Sequence, residues 1–135
     1  MKNTWCLLLL IFTAASVHAQ PRAKGKAGHQ NKAGVQYGIA SYYANKFQGR
    51  PTASGEPYDK NKMTCAHNSL PMGTWIRVTS LRNKRSVVVK VTDRLHHRNK
   101  RLVDLSRVAA AKLGYLKRGL TRVKVEIADK NSIPQ

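Results

Sequence analysis

Asp93 closes the run "RSVVVKVTD" (85–93). It follows Val87, Val89 and Val91 at a spacing of two, so an unbroken strand carries all four on one face. If that face points inward, Asp93 stands at the end of the core, where partial desolvation favours the protonated carboxyl. A protonated carboxyl in a cleft can act as a general acid. The plainer reading is an aspartate that opens a turn and binds backbone amides, and the pattern alone favours it. Glu56 stands between Gly55 and Pro57 in "TASGEPYD" (52–59). Pro57 biases it toward extended backbone, and Gly55 allows an unusual turn before it. Glutamate is not a favoured turn residue, so turn chemistry does not account for it. The plain alternative is an exposed carboxylate paired with a nearby cation, worth little. Asp59, in the same stretch, reads as an ordinary turn residue.

His67 lies in "TCAHNSLPMG", two residues after Cys65. The pair could share a strand face as metal ligands do. A structural zinc site takes four ligands, however, and no second pair has suitable spacing. Neither a metal nor a cofactor is expected. As a nucleophile Cys65 would need a base and an activating environment, so packing as a small, half-buried hydrophobe suits it better. "DRLHHRNKR" (93–101) is a basic loop that either grips an anionic polymer or simply connects elements in solvent. Its His96 and His97 would add charge below about pH 6.5.

The elements that must position these residues read mostly as strands. "VQYGIASYY" (35–43) is rich in β-formers. "TWIRVTSL" (74–81) alternates, and "RSVVVKVTD" is nearly continuous valine. In "TRVKVEI" (121–127), Val123, Val125 and Ile127 face one way, with Arg122, Lys124 and Glu126 facing the other. "RNK" between the second and third runs reads as a hairpin loop. One helix is signalled by Ser106 as N-cap, "RVAAAKL" as its body and Gly114 as its C-cap. A small closed β-barrel suits this pattern, because closure hides the sheet edges.

The whole chain has 135 residues, with 25 Lys and Arg against six Asp and Glu, a net charge of +19. Residues 1–19 read as a cleavable secretory signal, with Lys2 before the apolar run and "VHA" at its end. Removing them loses Lys2 and leaves +18. Cys6 precedes the apolar run, so no lipid anchor is expected, and the protein should be periplasmic or secreted. The mature chain then keeps one cysteine, Cys65, and no internal disulfide can form. Residues 20–33 read as a flexible basic leader, 34–128 as one domain and 129–135 as a short polar tail. The charge implies an anionic partner. Export argues against nucleic acid and for an anionic cell envelope.

Taken together, "GIASYYANKFQGRPTASGEPYD", "MTCAHNSLPMGTWIRVTSLRNKRSVVVKVTDR" and "LVDLSRVAAAKLGY" resemble the rare lipoprotein A (RlpA-like) family, from about Gly38 to Ile127. The resemblance implies a mainly β fold, a six-stranded double-psi β-barrel with one or two short helices, shared with expansins and barwin-like proteins. It implies an endolytic lytic transglycosylase of peptidoglycan, acting as a monomer. Such an enzyme cuts the bond between N-acetylmuramic acid and N-acetylglucosamine without water and leaves a 1,6-anhydro end. It points to Asp93 as general acid and base, to Glu56 as second carboxylate and to His67 as an orienting or sugar-binding group. Tyr43, Thr52, Ser54 and Arg94 make up the expected substrate-binding set. Where the family commonly continues "DR" with Gly-Pro and an aromatic residue, this chain has Leu95-His96-His97-Arg98. The alternative is a non-catalytic, expansin-like module that binds glycan or loosens the wall. A basic nucleic-acid binder is a third reading, disfavoured by export.

Overall fold

A computed structural model of the protein describes residues 34–135. The expected signal and basic leader lie outside the described residues. Six strands form a closed barrel: β1 (Gln36–Tyr42), β2 (Thr64–His67), β3 (Trp75–Ser80), β4 (Ser86–Asp93), β5 (Val103–Leu105) and β6 (Thr121–Ile127). Their order around the barrel is β1-β5-β2-β4-β3-β6. β1/β5 and β2/β4 are parallel pairs, and the other four are antiparallel. The resemblance implied this six-stranded barrel. Periodicity alone located β1, β3, β4 and β6 and missed β2 and β5, which have only four and three residues.

The barrel interior is the apolar side of these alternations. Ile76, Val78, Val89, Val91, Val103, Leu105 and Val123 are fully buried. Each such side chain contributes roughly 1.5–3 kcal/mol relative to exposure. Ile127 shares its register side with Val125 but stands at the barrel mouth, 55% exposed. Cys65 is fully buried rather than half-buried, and burial pushes its thiol pKa far up, leaving an inert group.

The helix α1 (Arg107–Leu113) follows β5 directly. The Ser106 side chain accepts a hydrogen bond from the Ala109 N–H, and Gly114 ends the helix at φ 90°. Ala109, Ala110 and Leu113 bury its inner face. Two single-turn 3-10 helices, Asn45–Phe47 and Lys130–Ser132, complete the regular structure.

Candidate active site

One irregularity creates the site. β2 pairs with β4 so that Cys65 stands beside Val91 and Ala66 beside Asp93, which leaves Thr92 unpartnered. This bulge reverses the alternation for one step. Asp93 therefore does not continue the inward face of Val87, Val89 and Val91, as the spacing suggested. It shares a side with Ala66, on the outer surface of the barrel. Asp104, on β5, is also the register partner of Ala66. Two carboxylates thus flank one small alanine. All three line a cleft of about 510 Å³.

Asp93 is held from three directions. Its Oδ2 accepts a 2.5 Å hydrogen bond from the Tyr43 hydroxyl. Its Oδ1 accepts the backbone N–H of Ala53 at 2.9 Å and that of Arg94 at 2.8 Å. The turn role and the cleft position, alternatives in the sequence, coexist in one side chain. Tyr43 stacks on Tyr58, with ring centroids 4.3 Å apart, and Tyr58 is itself buried with its hydroxyl on the Arg107 N–H. Burial and the adjacent Asp93 carboxylate push the Tyr43 pKa far up, so this hydroxyl is a fixed donor and not a base.

The "TASGE" segment is the second wall. Ser54 N–H donates to the Thr92 carbonyl at 3.0 Å, tying the loop to the bulge. Thr52 donates to the Glu56 carbonyl through both its N–H, at 2.9 Å, and its hydroxyl, at 2.6 Å. Gly55 takes φ 89°, a conformation that glycine adopts without a Cβ penalty, and so reverses the chain. Thr52 lines the cleft, whereas Ser54 supports the loop from within, its hydroxyl accepting the Glu56 N–H at 3.3 Å. The Glu56 side chain is directed elsewhere. Its carboxylate lies 3.8 Å from Lys90 Nζ, 55% exposed, and outside the cleft lining.

His67 is buried on the inward side, as register partner of Val103. Nε2 faces Gln36 Oε1 at 2.8 Å, and Nδ1 accepts the N–H groups of Ser69 and Leu70. That pattern defines a neutral imidazole protonated on Nε2. Burial, then the nearby Arg94 charge, pull its pKa down. Its side chain is not in the cleft lining, but its carbonyl accepts Arg94 Nη1 at 2.6 Å. His67 therefore anchors a cleft residue through the backbone.

Asp104 and Arg101 line the cleft although sequence reasoning gave them no role. They form a two-pronged ion pair at 2.8 and 3.0 Å, with the Asp104 side chain 15% exposed. The available signal was an acid set between two apolar residues in "VDL", which alternation places on the face away from the core. Arg50 and Arg94 also line the cleft, and among the described residues neither guanidinium lies within 4 Å of a carboxylate oxygen. His96 and Asn99, from the divergent loop, also line it, and the His96 and His97 rings lie tilted against each other with centroids 4.3 Å apart. No group of three His, Cys, Asp or Glu side chains able to hold a metal occurs among the described residues.

A family model described as lytic transglycolase matches residues 35–125. The chain is 44% identical over 101 residues to the endolytic peptidoglycan transglycosylase RlpA of Haemophilus influenzae, covering 75% of this chain and 35% of that protein. It is 51% identical over 92 residues to the RlpA of Pseudomonas aeruginosa strain UCBPP-PA14, covering 68% of this chain and 27% of that protein. The matched part of the chain thus spans only about a quarter to a third of the length of these relatives. Among solved structures, an expansin of Clavibacter michiganensis superposes with a TM-score of 0.57 at 25% identity, over 74% of this chain and 53% of that one. A Streptomyces papain inhibitor superposes with a TM-score of 0.55 at 25% identity, over 70% of this chain and 94% of that one.

Proposed function

Because the chain belongs to the lytic transglycolase family, we propose that it cleaves peptidoglycan glycan strands internally and without water, with Asp93 as the proton carrier. The observation that carries this reading is the seating of Asp93 just after the bulge, in the lining of a cleft of about 510 Å³. Oδ1 is engaged by two backbone amides and Oδ2 by the Tyr43 hydroxyl alone, so Oδ2 keeps a lone pair for a transferred proton. In the first step Asp93 gives that proton to the glycosidic oxygen as the C1–O bond of N-acetylmuramic acid breaks, with oxocarbenium character at C1. In the second, the sugar's own C6 hydroxyl attacks C1 and returns its proton to Asp93. The products are a 1,6-anhydro end and a free N-acetylglucosamine hydroxyl, and the carboxyl is regenerated.

Around this centre Tyr43 orients Oδ2, Thr52 and Arg94 line the wall that meets the glycan, and Ser54 holds the loop of that wall in place. Glu56 serves as the second carboxylate, adding negative field near the developing cation. To do so it must leave Lys90, and a contact between side chains this exposed is weak enough to permit it. His67 acts by holding Arg94. The likeness to an expansin favours one other reading, a module that grips glycan in the same cleft without cutting it.

Mass spectrometry of material released from purified sacculi separates these readings. Anhydro ends are expected, reducing ends would mean a hydrolase, and binding without new ends would mean the expansin-like module. Asp93→Asn is expected to lower anhydro release at least ~100-fold, the usual worth of a general acid. Its far-ultraviolet circular dichroism should stay that of the parent, and full activity in this variant would remove Asp93 from its role.

A further inference from the structure

At the other end of β4 from Asp93 lies a second concave surface, whose charged lining is cationic throughout. β4 runs eight residues from Ser86 to Asp93, so the two ends are about 23 Å apart at the usual strand rise. The β3–β4 hairpin and the segment that ends α1 enclose a groove of about 450 Å³, lined by Arg82, Ala111, Gly114, Leu116, Lys117 and Arg118. Its two walls are stapled together. Asn83 Nδ2 donates to the Leu113 carbonyl at 2.9 Å. Arg85 reaches over Gly114, where an added Cβ would come within 3.1 Å of its guanidinium.

The charge here is one-sided. The hairpin "RNKR" (82–85) and the segment 111–118 hold Arg82, Lys84, Arg85, Lys112, Lys117 and Arg118 and no acid. None of these cations enters an ion pair among the described residues. Folding needs do not account for them. Lys112 complements the C-terminal end of the helix dipole, but Arg82, Lys117 and Arg118 lie outside the helix. Lys84 takes φ 62°, where glycine or asparagine costs less, so a cation occupies a position whose backbone prefers another residue.

We propose that this groove binds a linear phosphodiester polymer of the cell envelope, independently of the cleft. Cations stand on both walls, Arg82 on one side and Lys117 and Arg118 on the other. The two non-bridging oxygens of a tetrahedral phosphodiester diverge, so both walls can bind the same group. No aromatic side chain lines the groove, so nucleobases would find no stacking platform there. A polyol-phosphate chain needs none. Held in this way, the chain would be tethered to the envelope while its cleft stayed free for a neighbouring glycan strand.

The test is calorimetric titration of the full chain with poly(glycerol phosphate). Arg82→Gln/Lys117→Gln/Arg118→Gln is compared with a charge-matched control, Lys62→Gln/Arg77→Gln/Lys130→Gln. Affinity is expected to fall on the order of tenfold in the groove variant, with a shallower salt dependence, and to change little in the control. Equal losses in both variants would reduce the effect to net charge and overturn the proposal. So would tighter binding of polyglutamate, of a single-stranded oligonucleotide or of anionic phospholipid vesicles than of poly(glycerol phosphate). Should the triple variant fold poorly, Lys117→Gln alone gives a smaller loss in the same direction. Cleavage of soluble glycan strands, read in parallel, should be unchanged in the groove variant. Absence of cleavage in the parent chain with polymer binding intact would count against the cleft reading and leave this one standing.

Discussion

Tyr43 decides which oxygen of Asp93 meets the substrate. Its ring is fixed by Tyr58 and its hydroxyl is a permanent donor, so it holds Oδ2 in one orientation. Tyr43→Phe keeps the ring stack and removes only that donor. Glycan-strand turnover is expected to fall about tenfold, or roughly 1.4 kcal/mol of barrier. Urea melts should lose about 1.5–3 kcal/mol, as for a hydrogen bond to a charged group. Unchanged turnover would show that Tyr43 only packs. Glu56→Gln tests the second carboxylate. A loss of about tenfold, well short of that from Asp93→Asn, is the expected outcome in the same assay, and no loss would leave Glu56 a loop residue whose carbonyl alone matters. These roles were unevenly legible. Asp93 could be picked out at the end of its strand, although the pattern favoured a turn role, and Tyr43 came in only with the family resemblance; nothing in one sequence joined them, because they are 50 positions apart. Asp104 passed unnoticed because "VDL" offers a single alternation, too short to be recognised as a strand.

At the scale of elements, the bulge and the "TASGE" loop act as one device. Thr92 drops out of register, Asp93 turns outward, and the loop caps it through Ala53 and Ser54. Gly55 is the weak point of that cap. An added Cβ would meet nothing within 4 Å, so the whole cost of Gly55→Ala is backbone strain at φ 89°, about 1–2 kcal/mol. The loop should absorb it locally. Faster amide exchange at Ala53 and Ser54 is expected, with lower turnover and an intact barrel; unchanged exchange at both amides would show that the loop does not depend on this turn. The long strands could be read from alternation because each buries one face. β2 and β5 are too short for any period to show, and only the family resemblance supplied them. The bulge was illegible for a different reason. A residue left out of register is a property of two paired strands, and Thr92 looks like any strand threonine until β2 lies beside it.

For the molecule as a whole, 25 cations against six acids change how stability responds to pH. Only three ion pairs tie acids down among the described residues, and in two of them both side chains are about a third exposed or more, so little stability resides in those two. His67 is the exception near neutrality. It is buried, with its Nδ1 committed to two backbone donors and Arg94 nearby, so the folded state disfavours its protonation. Its folded pKa lies below the ordinary 6.5. Below that value the unfolded chain takes up a proton that the folded chain refuses, so stability must fall with pH until the folded imidazole also titrates. Above it both states are neutral and the contribution is flat. Denaturant melts between pH 7.5 and 5 should therefore show declining stability in the parent chain. In His67→Gln the decline should be shallower, whatever its stability at pH 7.5. His96 and His97, on the divergent loop, are present in both proteins and cancel in the comparison. Parallel pH slopes in the two would mean that His67 is not the group being titrated, and that the decline comes from the general self-repulsion of a highly cationic barrel.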